Sequence, residues 1–314
     1  MIIIFIIYFI FLVWLFEFID IENDNNLNSD EKITIIIDYI NNLEKLFLTI
    51  DSIKEQKYPL DKINLIILDS SKDDINTLIN NYKYIFQSID VFKITDINRQ
   101  NIINDIKSNC NEYILFIDNE VVISKSLIPI IIQYIEQSHL TVIFLPLLYR
   151  YKNPYHKFYQ LFHCFIESIK CSLINKNFNL STKNIIINKE SFFNMINGDE
   201  KWNVNSRYLI SPDLYLYKNE DYKLINDPSL KFIHILYSII NFLFLFALLD
   251  FIAYPSQYFL FLISIKIIPE LCFIYTFYNR LQIKFPKLDY LIFCIIGPFY
   301  SIIELIYNQI TFKK

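Results

Sequence analysis

Residues 112–122 read Glu-Tyr-Ile-Leu-Phe-Ile-Asp-Asn-Glu-Val-Val. Tyr113, Ile114, Leu115, Phe116 and Ile117 form an unbroken β-favouring run, the pattern of a parallel strand covered on both faces. The run ends in two carboxylates one residue apart, Asp118 and Glu120. Open α/β sheets bind ligands at the carboxyl ends of their strands. Two acids so spaced can jointly hold a hard divalent cation through oxygen. A polar strand-to-loop turn with two solvated acids carries the same letters, so the rest of the chain decides.

On both sides of this run, from residue 32 to 231, short β-rich stretches alternate with amphipathic ones, the βαβα signature of an α/β domain. Residues 33–37 and 63–68 are buried-strand candidates, and 91–94 is a shorter one. Residues 43–54 carry Leu43, Leu46, Phe47, Ile50 and Ile53 on one helix face. Helices are also expected at 74–86, 101–107 and 125–137, followed by an apolar run at 142–148. The second strand ends at Asp69 as the fourth ends at Asp118, and in a parallel sheet both acids face one edge. That coincidence favours a nucleotide-diphosphate site. The competing reading of Asp69, with Ser70 and Ser71 behind it, is a cap on the helix starting near Asp74.

Composition narrows the classes. With a formal net charge of -4 and no basic stripe, a nucleic-acid partner is not expected. Gly198 and Gly297 are the only glycines, which argues against Gly-rich dinucleotide and P-loop sites. The five cysteines include no Cys-x-x-Cys pair and only four histidines are present, so neither a disulfide framework nor a zinc site is expected. Hydrophobic residues make up 54% and mean hydropathy is +0.30, so a membrane protein is expected.

The expected organisation is an uncleaved N-terminal transmembrane anchor at 1–19, a polar linker at 20–31, the α/β domain at 32–232 and a membrane region of three hydrophobic segments at 233–310. Arg280, Lys284 and Lys287 lie in the loop before the last segment, which places that loop and, counting back through two spans, the α/β domain in the cytoplasm.

Several segments, taken in order, resemble the membrane-bound family 2 glycosyltransferases of bacteria. Ile35-Ile36-Ile37 followed by Asn41 is similar to the family's first strand and turn. Ser52, Gln56, Tyr58 and Pro59 resemble its Ser-Leu-x-x-Gln-x-Tyr-Pro, and residues 65–74 its Asp-Asp-x-Ser-x-Asp loop. Residues 112–120 look like the strand ending in Asp-x-Asp. Phe158-Tyr159-Gln160 and residues 182–193 are similar to the acceptor-side segment, and Ser211-Pro212-Asp213-Leu214 stands where a pair of acids carries the catalytic base. The chain departs from the family at Ser70 and Pro212, where it has acids, at Glu120 in place of aspartate, and in lacking a Gln-x-x-Arg-Trp segment.

The resemblance implies a GT-A fold, Rossmann-like, with a mixed, mostly parallel sheet and transmembrane helices at both ends. It implies nucleotide-sugar binding by Asp69, Asp118 and Asn41, Mg²⁺ or Mn²⁺ held by Asp118 and Glu120, and Asp213 as the base. The implied reaction moves a sugar, with inversion, from a nucleoside-diphosphate sugar to a hydroxyl on a lipid or glycan at the bacterial inner membrane. The departures motivate an alternative, a non-catalytic nucleotide-sugar-binding or partner subunit of a membrane complex.

Overall fold

The computed structural model describes residues 2–15, 31–71, 75–94, 99–138, 141–151, 157–175, 184–197, 206–208, 216–220, 231–255, 257–290, 293–294 and 298–299. The chain divides into two compact units, one of Ile19–Leu148 with Ile174–Asn219 and one of Met1–Phe18, Tyr149–Leu173 and Glu220–Lys314.

The first of these units is α/β. Its sheet begins with β1 (Ile33–Tyr39), β2 (Ile63–Asp69), β3 (Ser88–Lys93) and β4 (Tyr113–Asp118), all mutually parallel in the spatial order β3-β2-β1-β4. The helices α2 (Leu43–Lys54), α3 (Asn76–Tyr82), α4 (Arg99–Asn109) and α5 (Leu127–Ser138) connect or follow these strands; α1 (Ile2–Leu15) precedes them. Both faces of β1 and β2 are covered, which is why their sequences run apolar without alternation. Ile33, Ile35 and Ile37 pack with Ile63, Leu65 and Ile67 against Leu46, Ile50 and Ile53 of α2 and Ile128, Ile131 and Ile132 of α5.

The expected helix at 43–54 matches α2 at both ends. Asn42, at a left-handed φ of 76°, accepts a hydrogen bond from the Lys45 N–H at 3.1 Å and caps it. The expected helix at 74–86 ends earlier, at Tyr82, whose hydroxyl donates to Asp51 of α2.

The sheet becomes mixed beyond β4. The apolar run at 142–148 is two strands, β6 (Val142–Phe144) and β7 (Leu147–Tyr151), broken at Pro146, which has no N–H for a ladder. Strand β8 (Ile185–Asn188), which leads into α7 (Lys189–Asn197), inserts antiparallel between β4 and β6. β9 (Ser206–Tyr208) then pairs parallel with β6. A second sheet has the order β5-β10-β7, with β5 at Val121–Ile123 and β10 at Leu216–Glu220. The mixed, mostly parallel α/β architecture agrees with expectation.

The other unit holds most of α6 (Lys157–Asn175) with α1, α8 (Lys231–Ala253) and α9 (Gln257–Arg280). The break between α8 and α9 falls at the expected Pro255. Among the described residues one helical stretch, Leu260–Arg280, is long and apolar enough to cross a membrane. Over the described residues α1 runs 14 residues, about 21 Å. α8 runs 23 residues, about 34 Å, and is mostly apolar along its length. Most of the expected last segment at 290–309 lies outside the described residues.

Inside this helical unit Lys266 and Glu270 of α9 are each only 1% exposed and pair at 2.9 Å; the Tyr8 hydroxyl of α1 donates to Glu270 at 2.7 Å. The Lys266 ammonium also lies over the Phe244 ring of α8, 4.8 Å from its centroid.

Candidate functional site

Register brings the strand-end acids together. Asp38 of β1 stands beside Asp118 of β4, and Tyr39 of β1 beside Asp69 of β2. Asp69 and Asp118 therefore flank the end of β1 on one edge of the sheet. Next to Asp69, on β3, is Lys93.

Asp69 is 3% exposed, and its oxygens are fully engaged by its surroundings. Oδ1 accepts from the Ser71 N–H at 2.8 Å and the Ser71 hydroxyl at 2.7 Å, while Oδ2 accepts from Lys93 Nζ at 2.9 Å. Burial pushes the carboxyl up, but these donors outweigh it and hold the group below the usual carboxylate range. The capping reading of Asp69 does not hold, because the N-cap residue of α3 is Ile75 and the Asp69 oxygens accept from Ser71 and Lys93 instead. The Ser70 N–H carries the ladder to β1 one residue further by donating to Tyr39 O, and the Ser71 N–H turns back onto Asp69.

After Asp118 the chain turns through Asn119 and Glu120 into β5, and buried hydrogen bonds fix that turn. The Asn119 side chain donates to Asn41 O at 2.8 Å, and its carbonyl accepts from the Thr49 hydroxyl at 2.9 Å. Ser52 Oγ accepts from the Ile123 N–H at 3.2 Å. Gln56 donates to Ser124 O at 2.6 Å and accepts from the Ile128 N–H at 3.1 Å. Ser52, one turn along α2 from Thr49, and Gln56, just past the helix's C-cap at Glu55, thus hold the backbone on either side of β5. Asn41 contributes its carbonyl here, and its side chain is exposed. From the opposite side Asn184, with a left-handed φ of 68°, accepts from the Asp118 N–H through Oδ1 at 3.4 Å.

Glu120 is 9% exposed and lies between two ammonium groups. Lys45 Nζ is 2.9 Å from Oε1 and Lys218 Nζ is 2.8 Å from Oε2. Lys218 Nζ is also 3.4 Å from Asp118 Oδ2. Burial raises the Glu120 carboxyl, but hydrogen bonds from Lys218 and Lys45 prevail and lower it to about 2. Backbone pairing sets this arrangement, since β10 runs antiparallel to β5 with Lys218 opposite Val121.

The expected Mg²⁺ or Mn²⁺ site on Asp118 and Glu120 does not fit this arrangement. Both oxygens of Glu120 and one of Asp118 already accept from ammonium groups. Among the described residues no group of three or more His, Cys, Asp or Glu side chains is arranged to hold a metal. Asp213, the expected base, lies with its neighbours outside the described residues.

Lys45, Lys93, Lys218, Asn119 and Thr49 are the site residues that sequence reasoning missed. Lys45 had a local signal, one turn into a capped helix that follows the first strand. Lys218 had none, because its partner is set by strand pairing across 100 residues of chain.

No protein-family model and no curated protein sequence matches the chain. Solved structures similar to it include a mannosyltransferase from Pyrobaculum calidifontis in complex with GDP-Man and Mn²⁺, at 12% identity and a TM-score of 0.49, covering 99% of this chain and 96% of that one. TarS 1-349 of S. aureus in complex with UDP-GlcNAc matches at 15% identity and a TM-score of 0.44, over 86% and 81% of the two chains. Glucosyl-3-phosphoglycerate synthase from Mycobacterium tuberculosis, in complex with Mn²⁺ and UDP-glucose, matches at 12% identity and a TM-score of 0.38, over 69% and 79%.

Proposed function

We propose that the protein is a GT-A type glycosyltransferase that takes a sugar from a nucleoside-diphosphate sugar and passes it to a hydroxyl of a lipid or glycan at a membrane. The observation that carries this reading is the grouping of Asp69, Asp118 and Glu120 at one edge of a mostly parallel sheet, where such sheets bind ligands. The order of motifs along the chain supports it. In this reading Asp69 and Asp118 face the base, ribose and diphosphate, with Asn41 at the adjoining turn.

Asp213 is the proposed base. It takes the proton of the acceptor hydroxyl as the oxygen attacks the anomeric carbon and the bond to the nucleoside diphosphate breaks, so the configuration inverts in one displacement. The apolar helices at both ends, Leu260–Arg280 among them, support a location at the bacterial inner membrane with the α/β unit in the cytoplasm.

The test is calorimetric titration of the full chain in detergent with UDP-sugars and GDP-sugars, each in Mn²⁺ and in EDTA. Saturable binding in at least one series is expected; no binding in any series refutes the reading. The Asp213→Asn variant is expected to bind the donor and transfer nothing. Ser70, Glu120 and Pro212, standing where the family has aspartate or paired acids, favour the second reading of a subunit that binds nucleotide sugar without transferring it. Binding by the unaltered chain with no turnover on any lipid or glycan acceptor would select that reading.

A further inference from the structure

We infer that Lys218, assisted by Lys45, supplies the positive charge that faces the donor's diphosphate, so that nucleoside-diphosphate binding here is independent of a divalent cation. The inference rests on the proposed function and names the cation of that same site.

Three observations carry it. The Lys218 ammonium bridges the two carboxylates, 3.4 Å from Asp118 and 2.8 Å from Glu120, the relation a metal ligated by both would have. Lys45 engages the other Glu120 oxygen at 2.9 Å, so two ammonium groups match two carboxylates and carry together the +2 of one divalent ion. Finally, the backbone that carries each lysine is fixed. Lys218 sits on β10, in register with Val121 next to Glu120, and the Lys45 N–H is held by the Asn42 cap in the first turn of α2.

An ammonium has three N–H donors and binds phosphate oxygen as a point charge, with hydrogen bonds strengthened by charge. Lys218 is 15% exposed and Asp118 24%, so the cluster reaches the sheet edge instead of lying sealed inside. A purely structural ion pair, holding β10 to the turn, is the competing account.

The experiment uses the full chain in detergent and titrates UDP and GDP, with and without attached sugar, in EDTA and again in Mn²⁺. In the unaltered protein binding is expected to persist in EDTA with Kd within about threefold of the Mn²⁺ value, a difference near the limit of what one weak contact contributes. Lys218→Met is expected to weaken binding in EDTA at least tenfold and to make it respond to Mn²⁺, because Asp118 and the Glu120 oxygen that Lys218 holds are then released to hold the metal. Lys218→Arg is expected to retain binding in EDTA, since guanidinium keeps the charge.

Binding of the unaltered protein in Mn²⁺ but not in EDTA overturns this inference and leaves the proposed function standing. Absence of binding in both conditions overturns the proposed function itself. Unchanged affinity and no Mn²⁺ response in folded Lys218→Met would assign the pair a structural role and also overturn the inference. The comparison on the unaltered chain decides the matter even where the methionine variant does not fold.

Discussion

Replacing Gln56 by methionine removes hydrogen bonds while keeping side-chain volume, so it isolates what holds the acid-bearing turn in place. Gln56 is buried and makes three hydrogen bonds, to Ser52 O at 3.2 Å, to Ser124 O at 2.6 Å and from the Ile128 N–H at 3.1 Å. At about 1 kcal/mol net for each, the variant loses about 3 kcal/mol, and the Ile128 N–H and Ser124 carbonyl are left without this partner in a buried place. Because the lost bonds are local, the first consequence is opening of the segment around β5 and the start of α5. Amide hydrogen exchange at Ile123 and Ile128 should accelerate on the order of 100-fold, the factor that about 3 kcal/mol represents. Exchange at the centres of β1 and β2 should change only as far as global stability does. The reasoning fails if Gln56→Met loses less than about 0.5 kcal/mol, below the low end for a single hydrogen bond, or if exchange accelerates uniformly.

Two other outcomes follow from the charge pairs. Asp69 has a folded-state carboxyl below its ordinary value of 3.8, so its contribution is fully present above that value and fades as pH falls through it. Urea unfolding between pH 6 and pH 3 should show a steeper loss in the unaltered protein than in Asp69→Asn, and parallel profiles would refute the pairing with Lys93 and Ser71. In the helical unit, Lys266→Met and Glu270→Gln each strand a polar or charged partner inside a helix contact and should each lose about 3–5 kcal/mol, with the double variant recovering much of that loss. Thermal unfolding in detergent measures it, and strictly additive losses would deny the coupling.

The part of the fold legible in the chain is the part in which pattern and position coincide. Buried parallel strands have no polar alternation to obscure them, so Ile33–Tyr39, Ile63–Asp69 and Tyr113–Asp118 stand out, and the acids that end two of them mark the sheet edge. The helix at Leu43–Lys54 is legible because its apolar residues recur at the spacing of one helix face. The short run Ile185–Asn188 carries no sign of direction, so its antiparallel insertion beside β4 is a tertiary outcome. The same holds for Val121–Ile123, whose three residues become a strand only by pairing with β10.

The site divides along the same line. Asp69, Asp118 and Glu120 are visible as local spacing, whereas their lysine partners come from α2, β3 and β10 and depend on packing and register. Ser52 and Gln56 were visible as a motif, but their work on the backbone around β5 became legible only once α2 was packed beside it.

Photoaffinity labelling with azido analogues of UDP-sugars and GDP-sugars tests directly whether the strand-end acids form a donor site. Labelling is expected in peptides containing Asp69 or residues 113–124, and is expected to disappear with excess unlabelled nucleoside-diphosphate sugar. Labelling confined to the helices α8 and α9, or labelling that the unlabelled sugar nucleotide does not displace, would contradict the account.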